Sequence, residues 1–473
     1  MNQRRVVILK HKRKFSSKQF VIKTATVGLL LNMLASPASS VLADAVKTPA
    51  TTEAGTAATG TATAKAAVAK IPSVESLGLN VSSAVLIEPT TGEVLLSYNA
   101  DQALPPASMT KMMTEYLVAE AVKNGQLTWD QKVIVQENAA QQIGSRIFLA
   151  QGDEHTVKEL YIAMAVGSAN DATVALAELV SGSEQQFVTL MNETAQKMGM
   201  KTAYFINSTG LDRADMPAKY RPETDRETVM SAMDAAILAK YIVTDHPDFT
   251  EFTTIQSYKF RDRDTKPMVN YNWMLEANKD IANFKAYAYP GLDGLKTGHT
   301  SNAGNCFTGT AVRDGMRLIS VVMGADSEAH RFTETKKVLD FGFNNFEIKQ
   351  VVAAKSVITG NETVPVQKGK NKSVSVVTDA GVTFMVPKGT VSPQIETAVT
   401  VNDPSTLVAP IPNATAVGKV TYTYKVEGMS QVQQKTVNLI TAEEAEKAGW
   451  FKLLMRAIGD FFGDLFTGIK DLF

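Results

Sequence analysis

Pro105-Pro106-Ala107-Ser108-Met109-Thr110-Lys111 runs directly into Met112-Met113-Thr114-Glu115-Tyr116-Leu117-Val118-Ala119-Glu120-Ala121. Two prolines fix an extended approach and a polar residue opens a strongly helical run, so Ser108 is expected at or just before the first helical turn. Lys111 follows three residues later, on the same helical face. The helix N-terminus, with its free N–H groups and positive dipole end, favours negative charge developing there. The spacing describes a serine nucleophile activated without histidine. Average residue usage alone supplies about one or two S-x-x-K matches in a chain of this length, so the motif needs support from elsewhere in the chain.

That support comes from Ser168-Ala169-Asn170 and Lys296-Thr297-Gly298. A K-T-G tripeptide arises by chance in about one chain in ten of this size, and here it occurs once, downstream of the only S-x-x-K. Thr156 to Glu159 forms a capping-box pattern ahead of Leu160 to Val166, and Asp171 to Val180 continues helical after a break at Gly167-Ser168. Ser168-Ala169-Asn170 is therefore expected at a helix-to-helix junction, which can push polar side chains into a cleft. A second S-x-N, Ser97-Tyr98-Asn99, lies on an early strand and has no such context.

The 473 residues allow two or three domains, and 44% hydrophobic and 20% charged residues are ordinary for a globular chain. The formal net charge of zero hides an asymmetry. Residues 1–45 carry eight Lys/Arg against one acid, Asp44, leaving 40 basic and 47 acidic residues, a net charge near −7, for the remainder. With no basic surplus to neutralise phosphates, a nucleic-acid partner is not expected. The basic start, the short apolar run Ala25 to Ala35 and the small residues around Ala43-Asp44-Ala45 read as a secretory signal over 1–45. An Ala/Thr-rich flexible linker is expected over 46–72. The single cysteine, Cys306, permits no internal disulfide and reads as a buried small hydrophobe. Five histidines without paired ligand spacing imply no metal.

Ala84-Val85-Leu86-Ile87, a turn at Thr90-Thr91-Gly92, and Val94 to Tyr98 read as a hairpin that delivers the chain to Pro105. Residues 212–230 are polar and read as a surface insertion or lid before a helix at Met230 to Tyr241. After Lys296-Thr297-Gly298 come apolar strands at Asn305 to Val312 and Met316 to Met323. Strands at both ends with helices between them imply one α/β domain, 73–346. From Glu347 to Ile440 short Val/Thr-rich alternating runs separated by turn signals imply an all-β module, a small sandwich. From 441 onward Trp450, Phe451, Leu454, Ala457, Ile458, Phe461, Phe462 and Leu465 recur at helical spacing. No apolar run approaches twenty residues, which suits a helix lying in a membrane surface, the alternative being a helix packed on its own β module or on a partner.

With S-x-x-K, S-x-N and K-T-G in that order, the chain resembles a low-molecular-mass penicillin-binding protein, a serine D-alanyl-D-alanine carboxypeptidase of the peptidase S11-like family. The resemblance runs from about residue 75 to the end and includes Gly144-Ser145-Arg146-Ile147-Phe148-Leu149, Asn207 to Leu211, and Tyr289 to Gly298 continuing into His299-Thr300. It implies a β-lactamase/transpeptidase-like antiparallel sheet covered by helices with a helical subdomain, then a small all-β sandwich and an amphipathic anchor at 441–473. Catalytic roles are implied for Ser108, Lys111 and Ser168, and substrate binding for Asn170, Lys296, Thr297, Gly298 and His299. Ser168 would relay a proton between Lys111 and the leaving amine, Asn170 would hold Lys111 and the substrate backbone, and Gly298 would let substrate lie close along the strand. The implied partners are peptidoglycan stem peptides ending in D-Ala-D-Ala, β-lactams as inhibitors, and a membrane surface reached through the C-terminal helix. No cofactor is implied, and the implied location is the outer face of the cytoplasmic membrane. The interval from Ser168 to Lys296 is longer than the resemblance leads one to expect, with the surplus at 212–230. A β-lactamase, a DD-transpeptidase and a non-catalytic peptidoglycan-binding scaffold are the competing readings. Turnover of bound penicillin, transfer to an added amine, and failure of penicillin to attach separate them in turn.

Overall fold

The computed structural model describes residues 71–426 and 432–470. The expected leader and nearly all of the expected linker lie outside them. Strands β1 (Ser83–Glu88) and β2 (Glu93–Tyr98) form the expected hairpin. A 3₁₀ turn, Ala107–Thr110, then opens α1 (Lys111–Lys123). A small ribbon of β3 (Lys132–Ile134) and β4 (Glu154–Thr156) brackets the short α2 (Glu137–Ala140), and α3 (Val157–Gly167), α4 (Asn170–Ser181) and α5 (Glu184–Met198) follow. After α6 (Ala232–Asp245) and α7 (Thr250–Thr253), the ribbon of β5 (Ser257–Tyr258) and β6 (Met268–Val269) leads to the long strands β7 (Leu292–Thr300), β8 (Gly304–Arg313) and β9 (Met316–Ala325), and then to α8 (Glu328–Asn345).

The principal sheet is antiparallel, in the order β2-β1-β9-β8-β7. Both faces are covered, which explains why β1 reads as an unbroken apolar run. Its alternate residues serve different cores. Val85 and Ile87 pack with Ile319, Val321 and the α6 residues Ala235, Leu238 and Ala239. Ala84 and Leu86 pack with Leu318, Val322 and the α8 residues Phe332, Val338 and Leu339. The helical subdomain has its own core, in which Leu160, Ala163 and Met164 of α3 meet Val174 and Leu176 of α4. Cys306, on β8, is fully buried, and burial pushes its thiol up to about 11, as a structural cysteine requires.

Residues 212–230, expected as a surface insertion or lid, do lie mostly at the surface, and their turns are pinned by hydrogen bonds. Two 3₁₀ turns, Arg213–Asp215 and Ala218–Tyr220, are held by Glu227 on the Arg213 N–H (2.9 Å), by the Pro222 carbonyl on the Arg213 guanidinium, and by Tyr220 donating to Glu137 (2.9 Å). Met216 is buried beneath them, which composition alone does not reveal.

Beyond α8 come β10 (Phe346–Val352), β11 (Thr363–Pro365), β12 (Ser373–Thr378), β13 (Val382–Pro387), β14 (Ile395–Val401), β15 (Ala416–Lys425) and β16 (Val432–Thr441). They form a two-stranded sheet, β10-β13, and a five-stranded sheet, β11-β12-β16-β15-β14. Between them Val376, Phe384, Val417, Val420 and Leu439 make a separate core. The last element is α9 (Trp450–Lys470). No helix among the described residues is long and apolar enough to cross a membrane.

Candidate active site

Ser108 sits on the 3₁₀ turn, half-buried, one residue after Ala107, whose φ of +47° is unusual for a residue with a side chain. Pro106 lies just ahead, and the Met109 N–H closes back on its carbonyl at 3.2 Å. Helix α1 starts only at Lys111, so one tight turn separates the Ser108 hydroxyl from the amine, as the spacing of three anticipates. The Lys111 side chain is fully buried, and its Nζ donates to Ser108 Oγ at 3.0 Å and to the Thr209 carbonyl at 2.8 Å.

The Thr209 carbonyl is aimed by its own loop. Asn207 Oδ1 accepts from the N–H groups of Thr209 (3.1 Å) and Gly210 (2.7 Å), and Glu184 accepts from the Ser208 N–H (3.0 Å) and hydroxyl (2.7 Å). Thr114, on α1, donates to the Ser208 carbonyl at 2.9 Å. Gly210 has φ +82°, and a Cβ there would stand 1.9 Å from the Ala107 carbonyl oxygen, so only glycine lets this loop close on the Ser108 turn.

The capping box of α3 is present as expected, with Thr156 accepting from the Glu159 N–H (3.1 Å) and Glu159 from the Thr156 N–H (2.7 Å). The helix ends at Ser168 in the left-handed conformation, φ +52°, and α4 begins two residues on, so the junction turns the Ser168 hydroxyl inward. Asp171 accepts from the N–H groups of Ile147 (3.1 Å) and Leu149 (3.0 Å), pinning the Gly144–Leu149 stretch against α4. The Asn170 amide donates to the Ile143 carbonyl at 2.6 Å, and its Oδ1 is buried with no partner among the described residues. Asn170 thus hydrogen-bonds to this loop, and no hydrogen bond joins it to Lys111 among the described residues.

The third motif lies on β7, at the edge of the principal sheet. Lys296 is buried, and its Nζ donates to Ser168 Oγ at 2.9 Å and to the Thr297 carbonyl at 3.3 Å. The Ser168 hydroxyl is therefore held by Lys296 and not by Lys111. Thr297 is buried beside it, and His299 is exposed at the strand end with Nδ1 3.1 Å from the Gly304 carbonyl. A Cβ on Gly298 would stand 2.5 Å from the Pro106 carbonyl oxygen, so this glycine is needed for β7 to pack on the Ser108 turn. The three motifs, distant in sequence, meet in one cluster around two buried amines.

Electrostatics follow from that burial. Desolvation, then the positive charge of Lys296, holds Lys111 well below the usual lysine range. Desolvation also lowers Lys296, with Arg331 adding to the fall and Glu115 opposing it. Three participants were given no role by the sequence. Thr209, inside the Asn207 to Leu211 stretch, acts through its main chain. Arg331, on α8, is almost fully buried and donates to the Gly298 carbonyl at 3.3 Å. Glu115 lies one helical turn beyond Lys111, an acid on a buried stretch of α1, which is the one sequence signal that could have revealed it. No group of three or more His, Cys, Asp or Glu side chains suited to a metal exists among the described residues.

Residues 68–327 match the D-alanyl-D-alanine carboxypeptidase family, and residues 346–447 match the C-terminal domain of penicillin-binding protein 5. D-alanyl-D-alanine carboxypeptidase DacF of Bacillus subtilis (strain 168) is 35% identical over 386 residues, covering 81% of this chain and 91% of the relative. D-alanyl-D-alanine carboxypeptidase DacC of Escherichia coli (strain K12) is 30% identical over 84% of this chain and 92% of its own length. Among solved structures, a peptidoglycan synthesis regulatory factor (PBP3) from Streptococcus pneumoniae superposes with a TM-score of 0.67 at 30% identity, over 78% of this chain and 100% of that one. Penicillin binding protein 5 from Haemophilus influenzae gives a TM-score of 0.60 at 30% identity, over 78% and 98% respectively.

Proposed function

This chain belongs to the D-alanyl-D-alanine carboxypeptidase family, and from that premise we propose that it removes the terminal D-alanine from peptidoglycan stem pentapeptides through an ester on Ser108. The observation that carries this reading is the Lys111 amine, 3.0 Å from the Ser108 hydroxyl in a buried site that keeps its pKa low. A neutral amine at that distance can accept the hydroxyl proton as readily as donate to its oxygen. The Ser108 oxygen then attacks the carbonyl carbon of the penultimate D-alanine while its proton passes to Lys111.

Collapse of the tetrahedral adduct breaks the C–N bond, and the proton that Lys111 took from Ser108 passes through the Ser168 hydroxyl to the leaving amine of the terminal D-alanine, which restores the neutral Lys111 amine and the Ser168 hydroxyl together. Water then attacks the Ser108 ester, and the serine oxygen recovers its proton as the shortened peptide leaves. The terminal carboxylate is received by the Lys296 ammonium and the Thr297 hydroxyl. Because β7 is an edge strand, groups on its free side can pair with an extended peptide, which supports substrate lying along Lys296 to His299. The Asn170 Oδ1, buried and unpartnered, supports a role in holding the substrate backbone. The N–H groups of Ser108 and His299 are the proposed oxyanion donors, worth about 100- to 1000-fold in rate for such a group. β-Lactams, which place a strained amide and a carboxylate in the same relation, would acylate Ser108 and inhibit.

We further propose that the protein acts outside the cytoplasm, in peptidoglycan remodelling and the control of cross-linking and cell shape. Helix α9 would rest on the outer face of the cytoplasmic membrane: Trp450 is 77% exposed, Phe451 61% and Phe461 65%, an aromatic display that a lipid surface would cover. The polar side of α9 faces its own β module, where Arg456 donates to the Gly369 carbonyl (3.1 Å) and Lys372 pairs with Asp460 (3.3 Å). Free D-alanine, measured after incubation with a pentapeptide ending in two D-alanines, tests the reading; its absence in active-site-competent protein would end it.

A further inference from the structure

Residues of β3, α2, α4, α5 and the second of the two 3₁₀ turns line a hollow of about 480 Å³ in the helical subdomain. Glu137, Glu178 and Glu184 contribute carboxylates to it, and Ile134, Val135 and Tyr220 contribute apolar surface. Ser108, Lys111, Ser168 and Lys296 are not part of its lining, so it is separate from the cluster described above.

Two of the three carboxylates are fully engaged. Glu184 Oε1 accepts from the Ser208 N–H and hydroxyl, and Oε2 accepts from the Asn138 amide at 2.9 Å. Glu137 accepts from Tyr220 (2.9 Å), Gln141 (2.9 Å) and Lys219. Glu178 is different. It is 7% exposed, and its Oε2 has no hydrogen-bond partner among the described residues. Asn138, whose amide is held by Glu184, is the smallest of the influences on it. A buried polar atom without a partner is rare in a native structure and calls for an explanation.

Charge and lining together set the class of occupant. Against the three carboxylates stands the Lys219 ammonium, which pairs with Glu137, lies outside the lining and has a side chain 62% exposed. The complementary ligand is therefore a cation. A metal ion fits poorly, because no group of three or more His, Cys, Asp or Glu side chains among the described residues is suited to one. An ammonium requires less: one carboxylate for a charge-assisted hydrogen bond, and other acceptors nearby. Ile134, 66% exposed on β3, adds apolar surface that methylene groups can cover and a bare ion cannot.

We propose that this hollow binds a primary alkylammonium group, with the ammonium on Glu178 and the methylene stem against Ile134 and Tyr220. Glu184 joins the site to the catalytic cluster, because the same carboxylate holds Ser208 and the next residue, Thr209, presents its carbonyl to Lys111. An occupant thus lies beside the group that orients the loop under Lys111. A free diamine and the side chain of a diamino-acid residue in a peptide both carry this chemistry, and two probes tell them apart.

The test is calorimetric titration of the protein with 1,5-diaminopentane and with Nα-acetyl-L-lysine methylamide, and thermal melting in the presence of each. It is run at pH 8, because burial and then the Glu184 charge raise Glu178 to about 7. At least one amine binds saturably in the millimolar range and raises the melting temperature. The tighter of the two identifies the source. Glu178→Gln, which keeps the shape and removes the charge, weakens that binding by at least about tenfold, and melting without ligand shows that it is folded. Ile134→Ser, at an exposed position, weakens it about threefold. 1-Pentanol and MgCl₂ give no saturable heat. The proposal is overturned if neither amine binds, if a folded Glu178→Gln protein binds as wild type does, or if 1-pentanol or Mg²⁺ binds as tightly as the amines.

Discussion

Gly298 and Pro106 are in such close approach that a Cβ on the glycine would lie 2.5 Å from the proline carbonyl oxygen. The strand that carries the K-T-G motif is thereby set directly against the turn that carries Ser108, the proposed nucleophile. Gly298→Ala should force β7 away from Ser108, lowering the acylation rate by about 100-fold, the scale of an ångström-sized misplacement. Overpacking should also cost about 1–3 kcal/mol of stability. Stopped-flow acylation and chemical denaturation measure the two effects, and unchanged acylation would remove the close-packing explanation of this glycine.

Lys111 must be neutral to act as base, so acylation is present above its pKa and is lost as pH falls through it. Burial and the Lys296 charge both lower that pKa. Replacing Lys296 by Gln removes the repulsion and should raise it, moving the acid arm of kcat/KM toward alkaline pH. Weaker binding of the carboxylate should appear separately as a higher KM. An acid arm that stays in place would mean that the two amines are not coupled.

Glu178 lines a hollow with Glu137, Glu184 and Tyr220, and its Oε2 is buried without a partner among the described residues. Burial, followed by the charge of Glu184, raises its pKa from 4.5 to about 7 in the folded protein. The folded state therefore binds the proton more tightly than the unfolded one. Its contribution is most favourable below the unfolded value and is lost as pH rises toward the folded one. Glu178→Gln should stabilise the protein at pH 8 by up to about 3 kcal/mol and change little at pH 4, where both forms are neutral. Melting curves at the two pH values test this; equal effects at both would contradict it.

Removal of α9 should abolish co-sedimentation with lipid vesicles while leaving D-alanine release from a soluble pentapeptide within about twofold. Replacing Phe461 and Phe462 by Ser should weaken vesicle binding in the same direction, since each large apolar side chain buried in the interface contributes about 1.5–3 kcal/mol. Vesicle binding that survives both changes would remove the helix from the account.

The parts of the site that the sequence makes legible are those governed by local rules. The Ser108–Lys111 spacing, the Thr156–Glu159 capping box and the break at Ser168 are written within a few residues of where they act. The alternating strands of the β module are legible for the same reason. What stays hidden depends on contacts between distant segments. The Thr209 carbonyl under Lys111 is set by a loop 98 residues away and exposes no side-chain signature. Arg331 reaches the cluster from the far side of β7, and an arginine on a helix reads as a solvated residue. The bonding of Ser168 and Asn170 differs from expectation because β7 brings Lys296 to one and the Ile143 loop binds the other. The polar composition of 212–230 matches a stretch that lies mostly at the surface, whereas the burial of Met216 and the Tyr220 hydrogen bond to Glu137 are long-range features that composition does not carry.

The most direct test is the intact mass of the protein after exposure to penicillin, paired with D-alanine release from a pentapeptide, for wild type and Ser108→Ala. Wild type should gain one penicillin adduct, mapped to the peptide containing Ser108, and should release D-alanine. The variant should do neither while melting as wild type does. An adduct on another residue, or D-alanine release that persists in Ser108→Ala, would contradict the assignment of Ser108 as the nucleophile.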